Sequence, residues 1–389
     1  LGALVRSGLG QLRLTWPASP ALNELEERVC DWLRQLLGLS ASFEGVIQDT
    51  ASTATLVALL CARERGSSHA QTRAGLFGEE RALTVYASAQ SHSSVEKAAL
   101  LAGFGRDHLR FVATDAAYAL DVGALEGAIR AEAGHRPCAV VATTGTTATT
   151  ALDPIHEVAE VCRRYGPWLH VDGAMAGSAM ILPECRPLWA GVEGADSLVV
   201  NPHKWLGAVF DCSVFYVRDP EHLVRVMSTN PSYLQTAADA EVRTYRDWGI
   251  PLGRRFRALK LWFLLRSEGA EGLRARLRRD LGNARWLAGQ VEAAPDWQLL
   301  APVPLQTVCL RHSPPGLAGA ALEAHTVAWA ERVNASGAAY LTPAKLDGSW
   351  MVRVSVGALT TEREHVERLW ETLQRTAEAL ALEAAQGAA

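Results

Sequence analysis

Four short clusters carry residue types that could do chemistry. Thr50-Ala51-Ser52-Thr53 opens the apolar run Ala54-Thr-Leu-Val-Ala-Leu-Leu. Hydroxyls at a helix start, together with free backbone N–H groups and the helix dipole, suit a phosphate. Gly145-Thr146-Thr147 follows a β-rich run and leaves room for a ligand. His170-Val171-Asp172-Gly173-Ala174 ends another such run, and an Asp flanked by small residues there suits a cationic partner. Asn201-Pro202-His203-Lys204-Trp205 follows the next one. A lysine in an apolar neighbourhood has a depressed pKa and a nucleophilic amine, the requirement for a Schiff base. Each cluster alone has a plain structural explanation. The first is a helix cap, the second a turn, the third a strand-end cap and the fourth a snorkelling surface lysine.

Together they form one constellation. A phosphate cradle, a strand-end acid and a lysine are what pyridoxal 5′-phosphate needs: an amine to hold its aldehyde, a carboxylate for its ring nitrogen, and donors for its phosphate. Other signatures are missing. There is no GxGxxG, GxxxxGK[ST], GxSxG or HExxH, and Gly8-Leu9-Gly10 lacks the third glycine.

The elements that must position these residues are readable from periodicity. Leu22, Leu25, Val29, Leu33 and Leu36 recur at helical spacing over 19–39, with Ser19 as a cap and Pro20 in the first turn. Strand-like runs at 83–87, 109–113, 138–143, 168–172, 197–201 and 213–217 alternate with helical patterns at 93–103, 121–134 and 154–165. This alternation implies βαβ units and a mostly parallel sheet covered on both faces, with binding crevices at the carboxyl ends of the strands. Residues 253–290 read as long helices. Strand-like runs within 297–357 and a helix at 361–384 suggest a smaller α+β domain from about 290. Residues 313–319 read as a surface loop.

The chain has 389 residues, 49% hydrophobic and 21% charged, with a formal net charge of −4. That composition excludes a disordered chain and argues against nucleic-acid binding. No apolar run approaches the roughly 18 residues that span a bilayer. Seven cysteines are scattered with no CxxC pair, as expected of reduced thiols, and no metal site is expected. Leu1-Gly-Ala-Leu has no basic region before an apolar core, so no signal peptide is expected and a cytoplasmic location follows.

Several longer segments carry a resemblance. They are Ile47 to Leu60, Ser91-His-Ser-Ser-Val-Glu-Lys-Ala, Leu169-His-Val-Asp, Ala176-Gly-Ser-Ala, Asn201-Pro-His-Lys-Trp, Phe210-Asp-Cys-Ser and Ile250-Pro-Leu-Gly-Arg-Arg-Phe-Arg. In the same order, from Leu1 to about Glu378, the chain resembles the group II pyridoxal-phosphate decarboxylases, with the aromatic-L-amino-acid decarboxylases as the nearest branch. The resemblance implies the aspartate-aminotransferase-like fold (fold type I) and a homodimer with active sites near the subunit interface. It implies an N-terminal helical segment at 1–40, a large cofactor-binding domain at 41–289 and a small C-terminal domain at 290–389. The upstream part of the family's N-terminal segment, which clasps the partner and supplies part of the substrate pocket, is expected before Leu1.

By the same resemblance Lys204 holds the cofactor, Asp172 pairs with its ring nitrogen, and His92 stacks on the ring opposite Ala174. Ala51, Ser52 and Asn201 hold the phosphate. Thr147 lies near the Asp172 side of the ring and His203 lies beside Lys204. Tyr233, in Asn230-Pro-Ser-Tyr-Leu, matches the tyrosine of a mobile loop that returns a proton to the α-carbon after CO₂ leaves. The chain departs from the family at Gly173 and Met175, where Ala and Tyr are usual, and at Leu14, where aromatic-specific relatives carry Phe. The reaction expected is α-decarboxylation of an L-amino acid, most simply tryptophan, tyrosine, phenylalanine or dopa. The alternatives are a non-aromatic substrate, an aldehyde synthase, or a catalytically silent binding protein. Tyr233 and His92 favour the decarboxylase over the synthase, in which Phe is common at the first position and Asn occurs at the second.

Overall fold

Short, mostly buried strands separated by helices organise the first three-fifths of the chain. In the computed structural model the described residues are 2–9, 16–75, 81–132, 134–229 and 242–387. In chain order the elements begin with α1 (Gly2–Leu9), α2 (Pro20–Leu37), β1 (Glu44–Gln48), α3 (Ala51–Gly66), α4 (Ala70–Ala74), β2 (Leu83–Ser88), α5 (Ser93–Leu101) and β3 (Leu109–Val112). Next come α6 (Val122–Ala131), β4 (Arg136–Thr143), α7 (Ile155–Tyr165), β5 (Trp168–Gly173), β6 (Ser197–Val200), β7 (Ser213–Val217) and α8 (Pro220–Met227). The chain closes with α9 (Ala258–Ala293), β8 (Trp297–Leu299), β9 (Thr307–His312), α10 (Gly319–Ala335), β10 (Thr342–Leu346), β11 (Ser349–Ser355) and α11 (Arg363–Gly387).

The described chain divides into two compact units. One is Leu1–Gly145 with Leu152–Arg274, the other Thr146–Ala151 with Ala275–Ala389. This division falls inside α9, whereas the sequence pattern suggested a boundary near 290. A helical run gives no compositional signal where it passes from one unit to the next. Gly269, at φ 65°, breaks the helical geometry inside α9.

In the first unit a seven-stranded sheet has the order β1-β7-β6-β5-β4-β2-β3. β3, β2, β4, β5 and β6 pair in parallel, and β7 is antiparallel to both β6 and β1. The carboxyl ends of β2, β4, β5 and β6 therefore share one edge. Val85, Val141, Val199 and Phe215 from the strands and Ala54, Val57, Ala58 and Cys61 from α3 belong to one buried core. Burial of this many apolar side chains is the main stabilising term of the unit. α3 buries residues around most of its circumference, so its Ala- and Leu-rich sequence lacks a polar face.

One local expectation needs correction. Ser19 precedes α2, but its side chain makes no cap hydrogen bond. It acts through its carbonyl, which accepts from the Asn23 amide at 3.2 Å and from Asn23 Nδ2 at 3.0 Å. β1 and α10 also stood outside the sequence reading. In the second unit β10-β11-β9-β8 form an antiparallel sheet, and Trp297, Trp329 and Trp370 meet edge to face in its core.

Candidate active site

The shared edge of the first unit's sheet holds most of the expected site. Asp172 lies within β5, one residue before its end, and is 4% exposed. The strand ladder sets its direction, because Thr143 and Val199 flank it on β4 and β6. Its Oδ1 accepts from the Ala174 amide at 3.0 Å, and no other hydrogen-bond donor reaches this carboxylate among the described residues. A buried carboxylate with one oxygen pinned and the other uncommitted is the acceptor that a protonated ring nitrogen requires. This is where the chain fits the pyridoxal group.

Behind Asp172 the scaffold is polar but neutralised. His170, two residues earlier on β5, is fully buried with Nδ1 2.9 Å from Ser197 Oγ, and burial pulls its pKa down to about 4. Asp153 accepts from the amides of Leu120 at 2.8 Å and Thr143 at 2.7 Å, anchoring the end of β4. Burial pushes its carboxyl up to about 7 despite those two bonds. Just past β4, Gly145 has φ 87°, and a Cβ there would lie 2.4 Å from the Ala176 methyl, so only glycine fits this turn.

The lysine turn follows β6. The Asn201 amide donates to the Ala174 carbonyl at 3.2 Å, which brings Asp172, Ala174 and Asn201 together. The Lys204 amide donates to the Asn201 carbonyl at 2.9 Å, closing the turn. Asn201 is buried, His203 half-buried and Lys204 exposed. Next to this turn, Asp211 accepts both Arg257 Nε at 3.1 Å and Arg257 Nη2 at 3.0 Å, with Lys260 Nζ at 3.5 Å. Burial raises the Asp211 carboxyl, but the Arg257 hydrogen bonds and charge outweigh it and hold the group at about 2.

His92 ends the connection from β2 and is the N-cap of α5, with Nδ1 accepting from the Ser94 amide at 3.1 Å. The imidazole is exposed. Ala51 and Ser52 are the first two residues of α3, and their amides belong to the helix turn that has no intrahelical acceptors. Thr50 caps that turn, its Oγ1 accepting from Thr53 N at 3.4 Å.

Two expected residues fall outside the described residues of the first unit. Thr147 belongs to the Thr146–Ala151 segment of the second unit, where its carbonyl accepts from Arg353. Tyr233, like Leu14, lies outside the described residues. Phe210-Asp-Cys-Ser and Ile250 to Arg257 carry the family resemblance but no role predicted from sequence. In the structure Cys212 and Ser213 bond to the lysine turn, and Asp211 beside them pairs with Arg257. Among the described residues no group of three or more His, Cys, Asp or Glu could hold a metal ion. No helix among them is long and apolar enough to cross a membrane.

Comparison with known proteins shows the family. The pyridoxal-dependent decarboxylase conserved domain matches residues 1–313. The chain is 38% identical to tryptophan decarboxylase TDC1 of Camptotheca acuminata over 393 residues, covering 98% of this chain and 77% of that one. It is also 38% identical to phenylacetaldehyde synthase of Arabidopsis thaliana over 389 residues, covering 97% and 78%. A crystal structure of Oryza sativa TDC with PLP and tryptamine superposes with a TM-score of 0.92 at 38% identity, covering 97% of this chain and 80% of that one. The chain belongs to the pyridoxal-dependent decarboxylase family. It is an amino-acid carboxy-lyase with pyridoxal phosphate as its cofactor and the fold of that family.

Proposed function

We propose that this enzyme decarboxylates aromatic L-amino acids, tryptophan, tyrosine, phenylalanine or dopa, to the amine and CO₂. The observation that carries the catalytic reading is the buried Asp172 carboxylate, pinned on one oxygen, on the same sheet edge as the Asn201–Lys204 turn. Bound pyridoxal phosphate would supply an aldehyde carbon for an amine and a ring that takes up the electrons released as CO₂ leaves. Lys204 supplies the amine that holds the cofactor. Asp172 keeps the ring nitrogen protonated, because a nearby carboxylate favours the cationic form. His92 and Ala174 cover the two ring faces. Ala51 and Ser52 at the start of α3, with Asn201, bind the phosphate. Thr147 and His203 complete the cofactor contacts, and Tyr233 delivers the proton to the α-carbon. The two tryptophan-directed relatives described above support the aromatic preference.

A second reading, an aldehyde synthase, is favoured by the similarity to phenylacetaldehyde synthase. Tyr233 and His92 speak for simple decarboxylation, since a phenol that protonates the α-carbon quickly leaves dioxygen no time to react. The division into segments 1–40, 41–289 and 290–389 and a cytoplasmic homodimer belong to the same proposal. Borohydride treatment of the cofactor-loaded protein tests the anchor. The expected result is a pyridoxyl adduct on the peptide carrying Lys204 and loss of the near-visible band in Lys204→Ala. An adduct on another lysine would overturn the assignment.

A further inference from the structure

Ile47 lies on β1, the edge strand of the large sheet, where alternate backbone groups point away from β7 and need partners from outside the sheet. Both groups of Ile47 find side chains. Its amide donates to Glu26 Oε1 at 2.9 Å, and its carbonyl accepts from Arg254 Nη2. The same Nη2 donates to the same Glu26 Oε1 at 2.8 Å, so carboxylate, guanidinium and peptide groups close one ring. Glu26 comes from α2 and is 0% exposed, and Arg254, in the segment before α9, is 6% exposed. The guanidinium also lies 5.4 Å from the centre of the Tyr245 ring. Buried charges of this kind hold a fixed geometry, because water offers neither group an alternative partner.

The residues after Ile47 are held in turn. Gln48 is buried, pairs across the sheet with Ser213, and donates Nε2 to the Trp248 carbonyl at 2.8 Å. Gly249 leaves it room, since a Cβ there would lie 2.6 Å from Gln48 Nε2. Asp49 Oδ1 accepts from the Thr50 amide at 2.6 Å, and Thr50 caps α3. So short a connection has few soft dihedrals, and a displacement of Ile47 carries into the first turn of α3. Three residues past Arg254, Arg257 pairs with Asp211 beside the lysine turn. Residues 254–257 therefore hold both the strand that leads into α3 and the chain that follows Lys204.

We propose that Arg254, with Glu26, is a positioning residue for the phosphate of the cofactor: the pair fixes the backbone of Ile47 and, through it, the first-turn amides of α3. This rests on the cofactor site proposed above.

The cofactor-free full chain is titrated with pyridoxal phosphate and, separately, with pyridoxal, which has the same aldehyde and ring but no phosphate, reading the near-visible band. Arg254→Met removes the donor to Ile47 and Glu26. It should bind pyridoxal phosphate about tenfold more weakly, the scale of one hydrogen bond to a charged group, and bind pyridoxal as the wild type does. Arg254→Lys, which keeps a charged donor, should recover most of the affinity. The cofactor-free Tm falls in Arg254→Met whether the pair positions α3 or only stabilises the fold, so the ratio of the two affinities decides. Equal weakening of both compounds, or of neither, would overturn the proposal. Where Arg254→Met does not fold, Glu26→Gln combined with Arg254→Gln, which buries no charge, carries the same comparison. Hydrogen exchange of the wild type tests the coupling without any variant. In the cofactor-free chain the Ile47 amide should exchange as slowly as the β7-paired amides of β1. Added pyridoxal phosphate should slow it further and added pyridoxal should not. Exchange at the rate of an open edge, or the same response to both compounds, contradicts the proposal. If the wild type gives no band with pyridoxal phosphate, the cofactor site fails. If the band forms normally and the affinity ratio ignores Arg254, only this inference fails.

Discussion

Asp172 carries the electrostatic core of the site at the scale of single residues. Its carboxylate is buried, and Ala174 N fixes its orientation at 3.0 Å. In such a water-poor setting a fixed charge acts without reorganisation during the reaction. Asp172→Asn preserves the shape and removes the charge. Its kcat should fall about a thousandfold, the scale on which preorganised charges act, while the band of the bound cofactor persists. Turnover within a few-fold of wild type would show that Asp172 is only a strand-end cap. The positions of Lys204 and Asp172 on the sheet edge were legible in the sequence because each follows or ends an apolar run at a strand's carboxyl end. Those of Cys212 and Ser213 were not. Their partners His203 and Asn201 lie on the far side of a loop, and only tertiary geometry shows which atoms meet.

Among the elements, the ion pair between Asp211 and Arg257 ties the chain after the lysine turn to the segment leading into α9. Its contribution depends on pH in a definite direction. The folded carboxyl, at about 2, lies below its ordinary value of 3.8. Its stabilisation is therefore present above pH 4 or so and is lost as pH falls through about 2. Urea unfolding of wild type and Asp211→Asn at several pH values should give a stability difference that is largest near neutrality and shrinks toward pH 2. A difference independent of pH would mean that packing, not charge, is what the carboxylate supplies.

The alternating elements of the large sheet were readable from period and composition, down to α7 and β5. β1 was not. It has five residues, four of them buried, so it shows no alternation, and it pairs with β7 across most of the unit's sequence. α10 escaped for a different reason. Its sequence, GAALEAHTVAWAERVNA, scatters small alanines around the helix and leaves no sharp apolar stripe.

At the scale of the whole molecule, the proposed homodimer needs an apolar surface to bury. Val209, Phe210, Ile250 and Leu252 are exposed in the first unit, with Phe210 at 71%. Apolar side chains this accessible are consistent with a surface covered by a second copy. Sedimentation of the chain should report twice its 41.9 kDa. A particle of single-chain mass at micromolar concentration would contradict the homodimer.

The central claim concerns the reaction and its substrates. The direct measurement is product analysis with cofactor-loaded enzyme in air-saturated buffer. L-tryptophan, L-tyrosine, L-phenylalanine and L-dopa are each supplied beside acidic and basic amino acids, and CO₂, amine and peroxide are quantified together. The account predicts equal amounts of amine and CO₂ from at least one aromatic substrate, no peroxide, and no comparable turnover of the charged amino acids. Peroxide and aldehyde in place of amine would contradict it in favour of the synthase reading, and amine from only acidic or basic substrates would contradict the aromatic assignment.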